Sequence, residues 1–175
     1  IASVADRVGI TQSTVFLHFQ NREGLLAALY TQAGRVLFDD FERRLKPGMS
    51  DQEFCEAFID SWQAFPLFQV MRPMVMRTVA ESLSEGTVQA ALREVFGFRH
   101  SAAPAAEQAL GLEPGQGMLL LRNLANLACG AAQVDVQALL NMENLSEDIA
   151  NFVRANDFRA SFLRGAILLI RGIRN

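Results

Sequence analysis

Apolar residues recur at intervals of three and four along almost the whole chain, while alternating runs rich in Val, Ile and Thr are missing. That spacing gathers the apolar side chains on one side of successive α-helices and leaves no pleated surface to pair, so the fold class is all-α. The longest expression of it lies between Asn21, a good helix cap, and Pro47-Gly48, which ends the pattern. Leu25, Leu26, Leu29, Ala33, Val36, Leu37, Phe41 and Leu45 hold the helical period there. Roughly 24 residues at about 1.5 Å each make a rod of roughly 36 Å, long enough to join two regions rigidly.

A chain of 175 residues, half of them hydrophobic and 20% charged, corresponds to about one ordinary domain with one large core. Disorder and a multidomain enzyme are both excluded by these values. The formal charge of -3 gives no global attraction to nucleic acid, so any contact with DNA must be local. Cys55 and Cys129 lie far apart and outside any Cys-x-x-Cys spacing, and read as buried free thiols in a reducing cytoplasm. The longest apolar runs, at 118–121 and 166–170, fall far below the ~20 residues that span a bilayer, so no membrane partner is expected. Ile1 already stands in a helical pattern, and an upstream segment is expected to precede it.

The first thirty residues carry the most specific pattern. Positions 1–8 read as a short helix that stops at Gly9, and Thr11 caps a second helix running to about Leu17. Ala5 is small where two helices must cross, Gly9 suits a turn with positive φ, and Val4, Val8, Ile10 and Val15 are expected to point inward. An ordinary helical hairpin would need the alanine and the glycine, but not the polar cluster Thr11-Gln12-Ser13-Thr14 at the start of the second helix. Free backbone N–H groups and short hydroxyls at that place suit phosphate oxygens and base edges, although capping alone accounts for Thr11. Arg22 opposes the dipole of the third helix, a cost of about 0.3–1 kcal/mol that a phosphate would reverse and that Glu23 partly offsets.

With Ile1-Ala2, Ala5, Gly9-Ile10, Thr11, Thr14-Val15-Phe16, His18-Phe19, Asn21-Arg22 and Leu25-Leu26 in register, residues 1–45 resemble the DNA-binding motif of the TetR (tetracycline-repressor-like) family of bacterial transcriptional regulators. The resemblance implies an N-terminal helix-turn-helix whose first helix lies upstream of Ile1, followed over 46–175 by a helical ligand-binding and dimerisation domain. It implies that Gln12 and Ser13 face the major groove, Thr11 and Thr14 lie beside the backbone, and His18 and Arg22 touch phosphates. A lone histidine is otherwise an ordinary polar residue. Phe16 stands where the family usually has tyrosine, and offers apolar contact, such as to a thymine methyl, in place of a hydroxyl. The implied partners are a double-stranded DNA operator, an apolar small-molecule effector that releases the protein from it, and a second copy of the chain through the C-terminal helices.

From Ser50 a further helix is expected up to Pro66, with a second break at Pro73, a helix to about Leu83, and another from about Thr87 that Pro104 limits. Gly111 to Gly117 reads as a turn, Ser146 as a helix start, and 117–132 and 157–173 as helices. The aromatic and methionine stripe over 54–76 is either plain core or the lining of an adaptable cavity. In the second case Phe58, Trp62, Phe65, Phe68, Met71, Met74 and Phe96 would line it, with Arg72, Arg77, Asn123 and Asn126 as the nearest polar groups. Ala125, Ala128, Ala132, Ser161, Gly165 and Gly172 form small-residue sets that serve close packing, within the chain or against a partner. With His18 and His100 as the sole imidazoles, no His-Glu-x-x-His and no P-loop lysine, no enzyme activity and no cofactor are expected. A helical small-molecule carrier without a DNA-binding role is the alternative reading.

Overall fold

Several helices of this chain begin where a short polar side chain accepts a free N–H group. The computed structural model describes residues 1–19, 21–64, 77, 81, 84–135 and 141–174. Among them are eight α-helices, a 3₁₀ turn at Met142–Asn144 and no strand. In chain order they are α1 (Ala2–Val8), α2 (Gln12–Phe19), α3 (Arg22–Arg44), α4 (Asp51–Gln63), α5 (Glu85–Leu110), α6 (Gln116–Val134), α7 (Glu147–Ala155) and α8 (Phe158–Arg174). Asn21 caps α3 by accepting from the Gly24 N–H at 2.7 Å, and Ser50 and Glu53 close a reciprocal capping box on α4. Ser84 caps α5 through the Thr87 N–H.

The core is built where α3, α4 and α8 meet. Leu37, Phe41, Phe54, Phe58, Trp62, Phe162 and Ile170 are all at most 1% exposed. Phe58 stacks on Trp62 and on Phe162 at centroid separations of 5.5 Å, while Phe41 meets it edge-on at 5.1 Å. Polar ties reinforce the same junction from outside. The Ser61 hydroxyl lies 2.8 Å from Asp40 Oδ2, Arg159 reaches Asp60 at 2.6 Å, and Arg174 reaches Asp51 at 2.6 Å. Burial pulls the Asp40 carboxyl upward, but hydrogen bonds from Arg44 and Ser61 and the charges of Arg44 and Arg43 outweigh it and hold the group below the usual range. Because its folded pKa is depressed, its contribution is complete above pH ~4 and is lost as pH falls through the lower folded value. Urea midpoints of wild type and Asp40→Asn therefore differ at pH 6 and converge as pH falls below 4.

The expectation that Pro104 limits α5 is overturned. The helix runs through it to Leu110. Ala102, Ala103, Ala106 and Ala109 are buried on both sides of it, and this burial outweighs the missing N–H, whose acceptor position at His100 is exposed. Pro104 is itself exposed, so Pro104→Ala restores a helical hydrogen bond without losing packing, and is expected to stabilise the fold by roughly 1–3 kcal/mol in urea titrations.

The alanine face of α5 lets α6 approach closely. At Gly117 a Cβ would fall on the Ala103 carbonyl and 2.8 Å from Glu107 Cγ, while Glu107 Oε1 accepts the N–H groups of Gly115 and Gly117 at 2.7 and 2.9 Å. Of the small residues nearer the C-terminus, Ala125 and Ala128 are core, and Gly165 accommodates the end of Leu127. Gly172 is different, since among the described residues no atom outside its own helix backbone and chain neighbours lies within 4 Å of where its Cβ would be. The expected breaks at Pro66 and Pro73 lie outside the described residues, as does most of the helix to Leu83, of which Arg77 and Glu81 are helical and exposed. Among the described residues no helix is long and apolar enough to cross a membrane.

Candidate nucleic-acid interface

Two short helices can be held at an angle only if one residue lets them touch and another turns the chain. Ala5, 1% exposed, and Val15, 4% exposed, are the residues buried by α1 and α2. Gly9 takes φ 70° and ψ 29°, the left-handed region that ends α1, and the Ile10 N–H then donates to the Ala5 carbonyl at 3.1 Å. Thr11 starts α2 by accepting from the Thr14 N–H at 3.2 Å, with the two hydroxyls 2.8 Å apart. So Thr11 caps, as its position predicted, and Thr14 is tied to it.

The expectation that Val4, Val8 and Ile10 point inward does not hold. They are 46%, 62% and 42% exposed. A crossing of two short helices covers one narrow stripe, centred on Ala5 and Val15, and Val4 and Val8 lie beyond its edges.

Opposite Val15, the helical period places Gln12, Ser13, Phe16 and Leu17 on one side of α2. Gln12 and Ser13 are exposed, Phe16 is 39% exposed and Leu17 is 83% exposed. His18 is exposed on the flank, its ring tilted against Phe19 at 6.3 Å, and Arg22 is exposed at the first position of α3. Thr11, Gln12, Ser13, Phe16, His18 and Arg22 are thus each accessible and Thr14 is half-buried; Gln12, Ser13 and Phe16 share one side of α2, and His18 lies on another. Leu17 shares the side of Gln12, Ser13 and Phe16 and was not among the residues expected there. Its signal was the spacing of four from Ser13, masked by the habit of assigning leucine to the core.

The residues proposed around an effector are placed differently. Phe58 and Trp62 are closed in by other rings, Phe96 is 50% exposed on α5, and on α6 Asn123 is half-buried and Asn126 exposed. Phe65, Phe68, Met71 and Met74, with Arg72, lie outside the described residues. A cleft of about 400 Å³ instead opens between α2, α3 and α5, lined by His18, Phe19, Gly24, Ala27, Ala28, Thr31, Gln32, Thr87, Ala90, Ala91 and Glu94. Of the site residues expected from the sequence, it includes His18 alone. Arg99 is a second residue the sequence reading missed, a charged side chain 6% exposed on the same stripe of α5 as Val95, Ala102 and Ala106. Burial pushes the Cys55 thiol up to about 12, which leaves it an inert core group. Among the described residues no group of three His, Cys, Asp or Glu side chains could hold a metal ion.

Comparison with known proteins adds no relative: no family model, curated protein or solved structure matches the chain.

Proposed function

We propose that this chain is a TetR-like transcriptional regulator, a homodimer that places α2 of each copy in the major groove of an operator and leaves the DNA when an apolar small molecule binds the helical body. The observation that carries the reading is the outward face of α2. A helix of eight residues exposes Gln12, Ser13, Phe16 and Leu17 together, directly after a left-handed glycine turn. An amide and a hydroxyl read base edges, and apolar side chains meet thymine methyls, whereas in water Leu17 gains nothing from its position. Thr11, His18 and Arg22 flank that face, where they would meet phosphates and fix the register.

The twofold partner is a second copy of the chain through α6 and α8. These two helices pack on each other, and they also carry Leu119, 41% exposed, Leu168, 67% exposed, and Gly130 and Gly172, where among the described residues no atom outside the helix's own backbone and the chain neighbours lies within 4 Å of an added Cβ. Glycine within a helix costs about 1 kcal/mol against alanine, a cost offset where a neighbouring helix approaches closely. An effector that shifts α3 would alter the spacing of the two reading helices, which must stand about 34–36 Å apart, with a coupling of roughly 1–3 kcal/mol. Selection from a random duplex library tests the reading. Enriched sequences with two symmetric half-sites about one helical turn apart are expected, while binding that is salt-sensitive but indifferent to sequence would overturn it.

A further inference from the structure

The cleft between α2, α3 and α5 has no part in the interface described above except at His18, and its chemistry is specific. Two short side chains, Ala28 on α3 and Ala90 on α5, line it from opposite helices. Both lie on the surface, so the gap is not a packing defect of the core. Thr31, only 9% exposed, and Gln32 line it from α3, and Glu94 lines it from α5. Glu94 supplies the only carboxylate among the lining residues. Among the described residues its ion pair is with Arg35 at 3.8 Å, both side chains being 52% exposed, and the Arg35 guanidinium already sits over the Phe98 ring at 5.5 Å. An ion pair that long and that exposed contributes about 0–1 kcal/mol, so the carboxylate is available to a closer cation.

We infer that this cleft binds small molecules bearing a primary ammonium group on a hydrocarbon body. An ammonium has three N–H donors and no acceptor, and the carboxylate of Glu94, the hydroxyl of Thr31 and the amide oxygen of Gln32 are three acceptors. The alanine walls suit the body, and the volume falls in the range of about 300–1,000 Å³ usual for ligand pockets. An anionic ligand of the same shape would meet Glu94 and be repelled.

The inference does not depend on DNA binding, and its test contains no DNA. Dansylcadaverine, whose emission rises and shifts to the blue in an apolar site, is titrated with the full chain, and dansylglycine serves as the anionic counterpart. Saturable binding of the amine is expected, with the acid roughly tenfold weaker or more. Glu94→Gln is expected to weaken the amine roughly tenfold. Ala28→Leu and Ala90→Leu, both at exposed positions, are expected to abolish binding while the thermal midpoint stays unchanged. Absence of binding, equal affinity for the two dyes, or full affinity in both cleft-filling variants would each overturn the assignment.

Discussion

Truncating Phe58 to alanine is expected to cost about 3–5 kcal/mol, among the largest effects of any single substitution in this chain. The side chain is fully buried and touches rings from three helices: Phe41 of α3, Trp62 of its own helix and Phe162 of α8. The space it leaves cannot close, because its neighbours are rigid rings already held by backbone on different elements. For a chain of this size the thermal midpoint should fall by roughly 6–20 °C. Phe96→Ala is the control. With half of its surface in water, that ring has little packing to lose, and its removal should change stability by about 0.5 kcal/mol or less. The pair of measurements also decides between the two readings of the aromatic stripe, since a Phe58 that lined an open cavity would be removed at small cost.

Much of the helical framework was legible because local chemistry sets it. Thr11, Asn21, Ser50 and Ser146 stand at helix starts, Pro47-Gly48 and Gly111 just beyond helix ends, and in each case the signal is a group within a few residues of the boundary it marks. What failed were judgements that need a neighbour. Pro104 carries a local penalty and nothing in its own segment reveals that α6 will bury the alanines around it. Val4, Val8 and Ile10 have the residue types of an inward face, yet whether a face is covered depends on what packs there, which no residue type encodes. Leu17 is the same case in reverse. The cleft was illegible for a further reason: it joins positions 18 to 32 with 87 to 94, far apart in sequence. The exposed set around α2 was readable because its members lie within twelve residues of one another.

Replacing both Gln12 and Arg22 by alanine is expected to lower affinity for a selected operator by at least about a hundredfold, with the two substitutions separable by their signatures. A base contact is worth about 1–3 kcal/mol of discrimination. Gln12→Ala should therefore act unequally on different duplexes, bringing the preferred site closer to its single-base variants. A phosphate contact carries no sequence information but releases a counterion, so Arg22→Ala should weaken all duplexes alike and reduce the slope of log affinity against log salt by about 1. Neither side chain is buried, and Arg22 stands unfavourably at the positive end of α3, so both variants should retain the wild-type thermal midpoint. That last point gives the experiment its force. Arg22 costs the folded chain a little stability where it stands, and a residue whose removal leaves the fold intact or slightly firmer while binding collapses is held there by the partner. If affinity and salt slope are unchanged in both variants, α2 does not read DNA, and its exposed face requires another occupant.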